Sequence, residues 1–268
     1  LKAKKSFGQH FLHRQDIAQR IVNGLLLTEK YPRILEIGPG KGVLTQYLLE
    51  KKAQGIDLKA VEADRDMVHY LHEHYPILDG SVLEEDFLKL DLANLFKQEF
   101  CLIGNFPYNI SSQILFKMID FKEFIPEMVG MFQKEVAERV AAPPGSKTYG
   151  ILSVLCQAFY ETKYLFTVDK SAFNPPPQVQ SGVIRLTRKA NLNLGCDEKL
   201  FKQVVKAAFG QRRKMLRNSL QTVFGEIPVP ETEFFTKRPE QLSLEAFIDL
   251  TQLISKLRTH RDRGDIDA

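Results

Sequence analysis

Apolar residues along this chain alternate between two kinds of pattern. Short, largely apolar runs bounded by turn signals, Arg33–Ile37, Leu58–Val61, Ser81–Glu84, Cys101–Gly104 and Ser181–Thr187, read as buried strands. Between them apolar residues recur at spacings of three and four. Ile17, Ile21, Val22 and Leu25 predict a helix from Asp16, as its N-cap, to about Leu27, and Val43, Leu44, Tyr47 and Leu48 predict another. The alternation continues to about residue 187 and predicts an α/β fold with a doubly wound, mainly parallel sheet. Pro143–Ser146 interrupts it and is expected to be a mobile surface loop near the cleft. Lys189–Asp197 is polar, carries Gly195 and reads as a linker. Beyond it Leu242, Ala246, Phe247, Leu250, Leu253, Ile254 and Leu257 predict a small α-helical domain. The expected organisation is one domain over 1–188 and a second over 189–257. The charged segment 258–268 has no apolar face and is expected to be disordered.

The chemistry-bearing residues sit where these strands end, which is where ligands bind in open α/β sheets. The first strand runs into Gly38-Pro39-Gly40-Lys41-Gly42. Glycines there allow positive φ and close approach of the backbone to a ligand. The second strand ends in Glu62, 24 positions after Gly38, where an acid can accept both hydroxyls of a ribose. The third leads to Asp86-Phe87 and the fourth to Asn105. A dinucleotide is the obvious competing ligand, but Val43 stands where G-x-G-x-x-G has its third glycine, and Pro39 removes an N–H that a pyrophosphate would use. S-adenosylmethionine carries no phosphate. A ribose acid (Glu62), an adenine-edge acid (Asp86) and an adenine clamp (Asn105) suit that cofactor.

Asn105-Phe106-Pro107-Tyr108 supplies an acceptor, a fixed turn and an aromatic face in four residues. In isolation such a run also fits an ordinary Asn-Pro-type turn closing a strand. Its place at a strand end favours a flipped-out adenine. The exocyclic N6 is a poor nucleophile because its lone pair is delocalised into the ring, so an enzyme that alkylates it must draw the nitrogen toward tetrahedral geometry. The Asn105 side-chain oxygen and the Phe106 carbonyl, held outward by Pro107, can accept its two hydrogens. Tyr108 can stack on the base, worth about 1–3 kcal/mol. In Ala172-Phe173-Asn174-Pro175-Pro176-Pro177 the prolines stiffen an extended loop, on which Phe173 either closes the base from the opposite face or anchors the loop in the core.

Taken together, Phe7-Gly8-Gln9-His10-Phe11-Leu12, Glu36-Ile37-Gly38-Pro39-Gly40, Glu62-Ala63-Asp64, Asn105 to Ser111, Phe132 to Val136, Phe173 to Val179, Gln211 to Lys214 and Arg217 to Leu220 resemble the KsgA-type small-subunit (16S) rRNA adenine N6,N6-dimethyltransferases, the dimethyladenosine transferase family. The resemblance implies a Rossmann-like class I methyltransferase fold with a small C-terminal helical domain. It also implies a cofactor pocket of His10, Leu12, Gly38, Gly40, Glu62, Asp86 and Asn105. Some members carry Asn where His10 stands, which leaves open whether this contact is by side chain or backbone. Leu is frequent at the position of Phe106, whose expected role is through its carbonyl. For Phe173 the resemblance favours stacking opposite Tyr108. The implied reaction is direct methyl transfer, without metal or covalent nucleophile, to two adjacent adenines near the 3′ end of small-subunit rRNA in a partly assembled subunit. Large-subunit rRNA and DNA adenine methyltransferases share the Asn-x-Pro-Tyr clamp, and a non-catalytic RNA-binding assembly factor could share the fold. The runs at Phe173 and Gln211 favour the small-subunit enzyme.

Composition adds bounds. A chain of 268 residues, 44% hydrophobic, is long enough for one large domain and a small one. The net charge is only +4, so its distribution matters more. Lys199, Lys202, Lys206, Arg212, Arg213, Lys214 and Arg217 follow one another with no acid between, while Leu200, Val204, Ala208, Phe209, Met215, Leu216 and Leu220 fall at helical spacings. Two short helices joined near Gly210 would bury one side and display cations on the other. Lys206, Arg212, Arg213, Lys214 and Arg217 are the expected contacts to RNA phosphates. Lys2, Lys4, Lys5, His13 and Arg14 form a possible second patch. Cys101, Cys156 and Cys196 suggest no disulfide framework or zinc site, and the first two read as core residues. His69, His72 and His74 read as a solvated helix face, and no metal is expected. With no signal-peptide pattern and no apolar run of membrane length, a soluble, cytoplasmic, monomeric protein is expected.

Overall fold

In the computed structural model the backbone is described over residues 9–264 and side chains through residue 261. A short strand, β1 (Phe11–Leu12), leads into α1 (Gln15–Asn23). Strands and helices then alternate: β2 (Arg33–Ile37), α2 (Thr45–Ala53), β3 (Asp57–Glu62), α3 (Arg65–His74), β4 (Val82–Glu84), α4 (Leu92–Leu95), β5 (Cys101–Asn105), α5 (Ser111–Asp120), β6 (Glu127–Gln133) and α6 (Lys134–Ala141). Next come α7 (Ile151–Phe159), β7 (Tyr160–Val168), β8 (Phe173–Asn174) and β9 (Ser181–Arg188). The chain continues with α8 (Glu198–Gly210), α9 (Leu216–Ser219), α10 (Gln221–Phe224) and α11 (Leu244–Gly264).

Seven strands form one sheet in the order β4-β3-β2-β5-β6-β9-β7. β2 lies parallel to β3 and β5, β3 to β4, and β5 to β6, whereas β9 runs antiparallel to both β6 and β7. This is the expected mainly parallel sheet. Its central strands are buried on both faces, as Ile34, Leu35, Cys101, Leu102, Ile103, Met128 and Val129 show, which is why their sequences are continuous apolar runs rather than alternating ones. Gly104 and Gly130 face each other in the β5–β6 register. The Phe106 ring fills the space they leave: a Cβ on Gly130 would come within 2.1 Å of it. That ring, edge-on to Phe132 at 4.9 Å, anchors the backbone just beyond β5 from below.

The first helix differs from the expectation. Asp16 is not its N-cap; the helix starts at Gln15, and Asp16 lies within its first turn. Its carboxylate is taken by the Arg14 guanidinium, whose Nε and Nη2 donate at 2.8 and 2.7 Å. The helix also ends earlier, at Asn23, where the N–H groups of Leu26 and Leu27 turn to the buried Glu127 carboxylate. Ile17, Ile21, Val22 and Leu25 are buried as expected.

The chain divides into two compact units. One comprises the described residues up to Ala141 together with Tyr160–Arg188, the other Ala142–Phe159 with the described residues from Lys189 on. Residues 142–159, which the alternation assigns to the first domain, therefore group with the helical unit. The reason is in α7, where Leu152, Ser153, Val154, Leu155, Cys156, Ala158 and Phe159 are all buried and α8 and α11 are its neighbours. Within this unit the Pro143–Ser146 loop is tied down by the Gly145 N–H, which donates to the Glu240 carbonyl at 2.7 Å. The segment expected to be a disordered tail instead continues α11 as far as Gly264. Arg258 donates to the Val223 carbonyl at 2.5 Å and Arg261 pairs with Glu226, so polar contacts hold a helix end that has no apolar face. Residues 265–268 lie outside the described residues. Among the described residues no helix is long and apolar enough to cross a membrane.

Candidate functional site

The turn after β2 is built on glycines with positive φ, 63° at Gly38 and 56° at Gly40, a conformation that side-chain-bearing residues rarely adopt. It brings the Gly40 N–H to the Glu62 carboxylate at the end of β3. Glu62 Oε2 accepts from Gly40 at 3.1 Å and Oε1 from the Asp64 N–H at 2.9 Å. Both carboxylate oxygens are thus fixed in place, and the side chain is only 7% exposed. Burial pushes the Glu62 carboxyl up and the two N–H donors pull it back. Asp64 caps α3 by accepting from the Asp66 N–H at 3.1 Å, and it also accepts from Gln9 Nε2 at 2.8 Å. The amino-terminal segment is held further by β1, which pairs antiparallel with β8.

Beyond β4, Asp86 turns the chain by accepting the Leu88 N–H at 2.9 Å. Beyond β5, Asn105 donates from Nδ2 to the His10 carbonyl at 3.3 Å, which directs Oδ1 away from that contact. The Phe106 N–H donates to the Met131 carbonyl at 3.1 Å. Tyr108 shares a 2.5 Å hydrogen bond with the buried Ser181 hydroxyl, and burial pushes its phenol up. The His10 ring lies 5.4 Å from the Tyr108 ring at 30°, and its Nδ1 donates to the Pro175 carbonyl at 3.0 Å.

These segments enclose one cavity of about 820 Å³, within the size range of small-molecule sites. His10, Leu12, Gly38, Gly40, Glu62, Asp86, Asn105, Phe106, Pro107 and Tyr108 all line it. Phe173 does not; it takes the loop-anchor place that the sequence left as its alternative. Its ring is 3% exposed within the hydrophobic core, and in the β1–β8 register it sits opposite Leu12. Side chains alternate along an extended segment, so the neighbouring Asn174 reaches the cavity while Phe173 faces the core.

Glu36 is a site residue the sequence reading left without a role. It lines the cavity from within β2, almost wholly buried, and accepts from Thr45 Oγ1 at 2.7 Å. An acid inside an otherwise apolar strand run was the available signal. Burial pushes its carboxyl up to about 8, against the pull of the Thr45 hydroxyl, and the nearby Glu62 charge adds to the rise. A carboxyl raised in this way favours the fold fully below about pH 4.5, its ordinary value, and loses that contribution as pH climbs to about 8. Glu36→Gln cannot titrate. In urea denaturation its stability relative to the parent chain should therefore grow across that window and level off above it; a difference independent of pH would show that Glu36 titrates normally.

The expected RNA contacts lie in the helical unit. α8 buries Leu200, Val204, Ala208 and Phe209, and leaves Lys199 and Lys206 exposed. Arg213, Lys214 and Arg217 are exposed as well. Arg212 differs: its Nη2 donates to the Lys147 carbonyl at 2.6 Å and is half-buried there. Met215, expected to face the core, is 37% exposed in extended backbone just ahead of α9. In the other unit, His13 contacts the Ser171 carbonyl and Arg14 pairs with Asp16; Lys2, Lys4 and Lys5 lie outside the described residues. Among the described residues no group of three or more His, Cys, Asp or Glu is placed to hold a metal ion.

The chain matches the family model described as ribosomal RNA adenine dimethylase over residues 1–252. It is 56% identical over 267 residues to the ribosomal RNA small subunit methyltransferase A of Parabacteroides distasonis, a match covering 99% of this chain and 98% of the relative. The protein of the same name from Cytophaga hutchinsonii is 55% identical over 255 residues, covering 95% and 98%. The fold is similar to the crystal structure of a dimethyladenosine transferase from Plasmodium falciparum, with TM-score 0.72 and 24% identity over 92% of this chain and 98% of that one. It is also similar to the 23S rRNA methyltransferase ErmE, with TM-score 0.61 and 22% identity over 90% and 99%. The architecture is that of the Rossmann-like class I methyltransferases. The chain belongs to the ribosomal RNA adenine dimethylase family.

Proposed function

We propose that this protein uses S-adenosylmethionine to dimethylate N6 of two adjacent adenines near the 3′ end of small-subunit rRNA, acting on a partly assembled subunit. The observation that carries the reading is the Asn105 amide: with Nδ2 committed to the His10 carbonyl, Oδ1 is left as an acceptor in the same cavity as Glu62 and Asp86. Those residues fit the cofactor. The positive-φ turn at Gly38 and Gly40 lets backbone approach a ligand without a Cβ in the way, Glu62 has lone pairs left for ribose hydroxyls, and Asp86 is an acceptor suited to an adenine amino group.

When bound, S-adenosylmethionine supplies a methyl group on a sulfonium already activated for displacement, so the protein's task is orientation and polarisation. Asn105 Oδ1 and the Phe106 carbonyl accept the two N6 hydrogens and bring the nitrogen lone pair toward the methyl. Pro107 and the buried Phe106 ring fix that carbonyl, and Ser181 fixes the Tyr108 face that stacks on the base. The base is released from the stack by flipping, and its N6 proton leaves to water or a carbonyl after transfer. With Phe173 in the core, Tyr108 is the aromatic platform this reading retains.

The helical unit would position the RNA through phosphates, which carry no sequence, while the cavity reads the base. Replacing Arg213, Lys214 and Arg217 by Ala, with Arg212 kept for its hold on the Lys147 carbonyl, should weaken binding to small subunits. It should also make the salt dependence of the log binding constant shallower by about 0.7–0.9 per lost contact. Affinity for S-adenosylmethionine should be unaffected. Parallel salt plots for variant and parent would reduce these cations to a solvated face.

The function itself is tested by incubating the protein with methyl-labelled S-adenosylmethionine and, in separate reactions, small subunits, large-subunit rRNA and DNA from cells lacking the enzyme. Label in small-subunit rRNA is the expected result. Label confined to large-subunit rRNA or DNA would redirect the substrate, and absence of cofactor binding in calorimetry would point to a non-catalytic assembly factor.

A further inference from the structure

We propose that Lys117 is a positioning residue for the cofactor's adenine, holding the Asp86 loop in register with the helix that follows the catalytic turn. Lys117 lies on α5, which begins at Ser111 directly after the Asn105–Ile110 segment lining the cavity. Its Nζ donates to the Phe87 carbonyl at 2.8 Å and to the Leu90 carbonyl at 2.5 Å. It also stands over the Phe87 ring at 5.3 Å and the Phe121 ring at 5.7 Å. Glu85, Asp86 and Phe87 form one wall of the cavity.

The loop needs this outside support. It is a single 3-10 turn, Phe87–Lys89, whose own bonds run from the Lys89 N–H to the Asp86 carbonyl and from the Leu90 N–H to the Phe87 carbonyl, leaving the Leu90 carbonyl to an outside donor. Asp86 closes the front of the turn by accepting the Leu88 N–H, which fixes Oδ1, but nothing in that bond sets the height of the turn against the cavity. The lysine takes up both carbonyls at the far side with two of its three donors. Burial pulls the ammonium down, while Asp86, Glu85 and Asp91 hold it up, so the same cation bonds the loop and attracts its acids. The loop carrying the adenine-edge acid and the helix that follows the target-base clamp are thereby joined at one atom.

This inference rests on the reading of Asp86 as the acceptor for the adenine amino group, and its test separates the two. S-adenosylhomocysteine and its purine-ribosyl analogue differ only in whether the purine carries an amino group or a hydrogen at that edge. The ratio of their affinities, measured by calorimetry, reports how well Asp86 is aimed, and a general loss of stability leaves it unmoved. Lys117→Met should lower the adenosyl preference by about three- to tenfold, the scale of one hydrogen bond. Lys117→Gln, which keeps one amide donor, should lower it less, and supplies the test if the Met variant does not fold. An unchanged ratio in either folded variant overturns the proposal. Asp86→Asn run in parallel reads the underlying assignment: if it lowers the ratio and the Lys117 variants do not, only the role of Lys117 falls, whereas an unchanged ratio in Asp86→Asn removes Asp86 from the adenine edge.

Discussion

Asn105→Ala binds S-adenosylmethionine within a few-fold of the parent chain yet transfers methyl groups roughly two orders of magnitude more slowly, or worse, because an aligning group is worth more in the transition state than in the ground state. The side chain sits at the end of β5 with Nδ2 on the His10 carbonyl, so its truncation removes both the N6 acceptor and one tie to the amino-terminal segment. The second loss is small, since β1 remains paired with β8 and Gln9 with Asp64. Single-turnover transfer at saturating cofactor, together with a cofactor titration, separates the two. Near-normal turnover would remove Asn105 from the mechanism.

Glu62→Ala reverses the order of effects. Cofactor affinity should fall by about 1.5–3 kcal/mol, the range for hydrogen bonds to a charged group, while the chain stays folded. Its two oxygens are already aimed by the Gly40 and Asp64 N–H groups, so no reorganisation is needed to meet a ribose. Truncation also leaves those two donors without their acceptor, and thermal stability must be followed alongside. Glu62→Gln should be little better than Ala, because an amide NH2 would face a backbone N–H at one of the two positions. Unchanged affinity in a titration would mean that the ribose is held elsewhere.

The strand-end residues were legible because each rests on a local signal: a buried apolar run fixes the strand, and Gly38, Glu62, Asp86 and Asn105 mark where it stops. Residues whose roles depend on distant partners were not. Phe173 faces the core because β8 pairs with β1, and nothing near Phe173 in the sequence announces that pairing. Asp16 misleads for a local reason instead: Arg14, two positions before it, takes its carboxylate. Residues 142–159 look like a crossover between strands, but a helix apolar around most of its surface joins whichever core encloses it. Lys117 reads as an ordinary basic residue on an amphipathic helix, and its bonds to the Phe87 and Leu90 carbonyls appear only once the loop is folded. Residues 258–264 lack the apolar stripe that marks a helix in sequence and are held through Arg258 and Arg261.

The central claim is that the cavity presents an adenine N6 to Asn105 and the Phe106 carbonyl beside the cofactor. Its most direct test is nucleoside analysis of small-subunit rRNA after reaction with the parent chain, followed by mapping of the modified positions. The expected result is N6,N6-dimethyladenosine at two adjacent adenines near the 3′ end, and far less of it with Asn105→Ala at the same reaction time. Methylation at a ring nitrogen, at a ribose or on another base would contradict it.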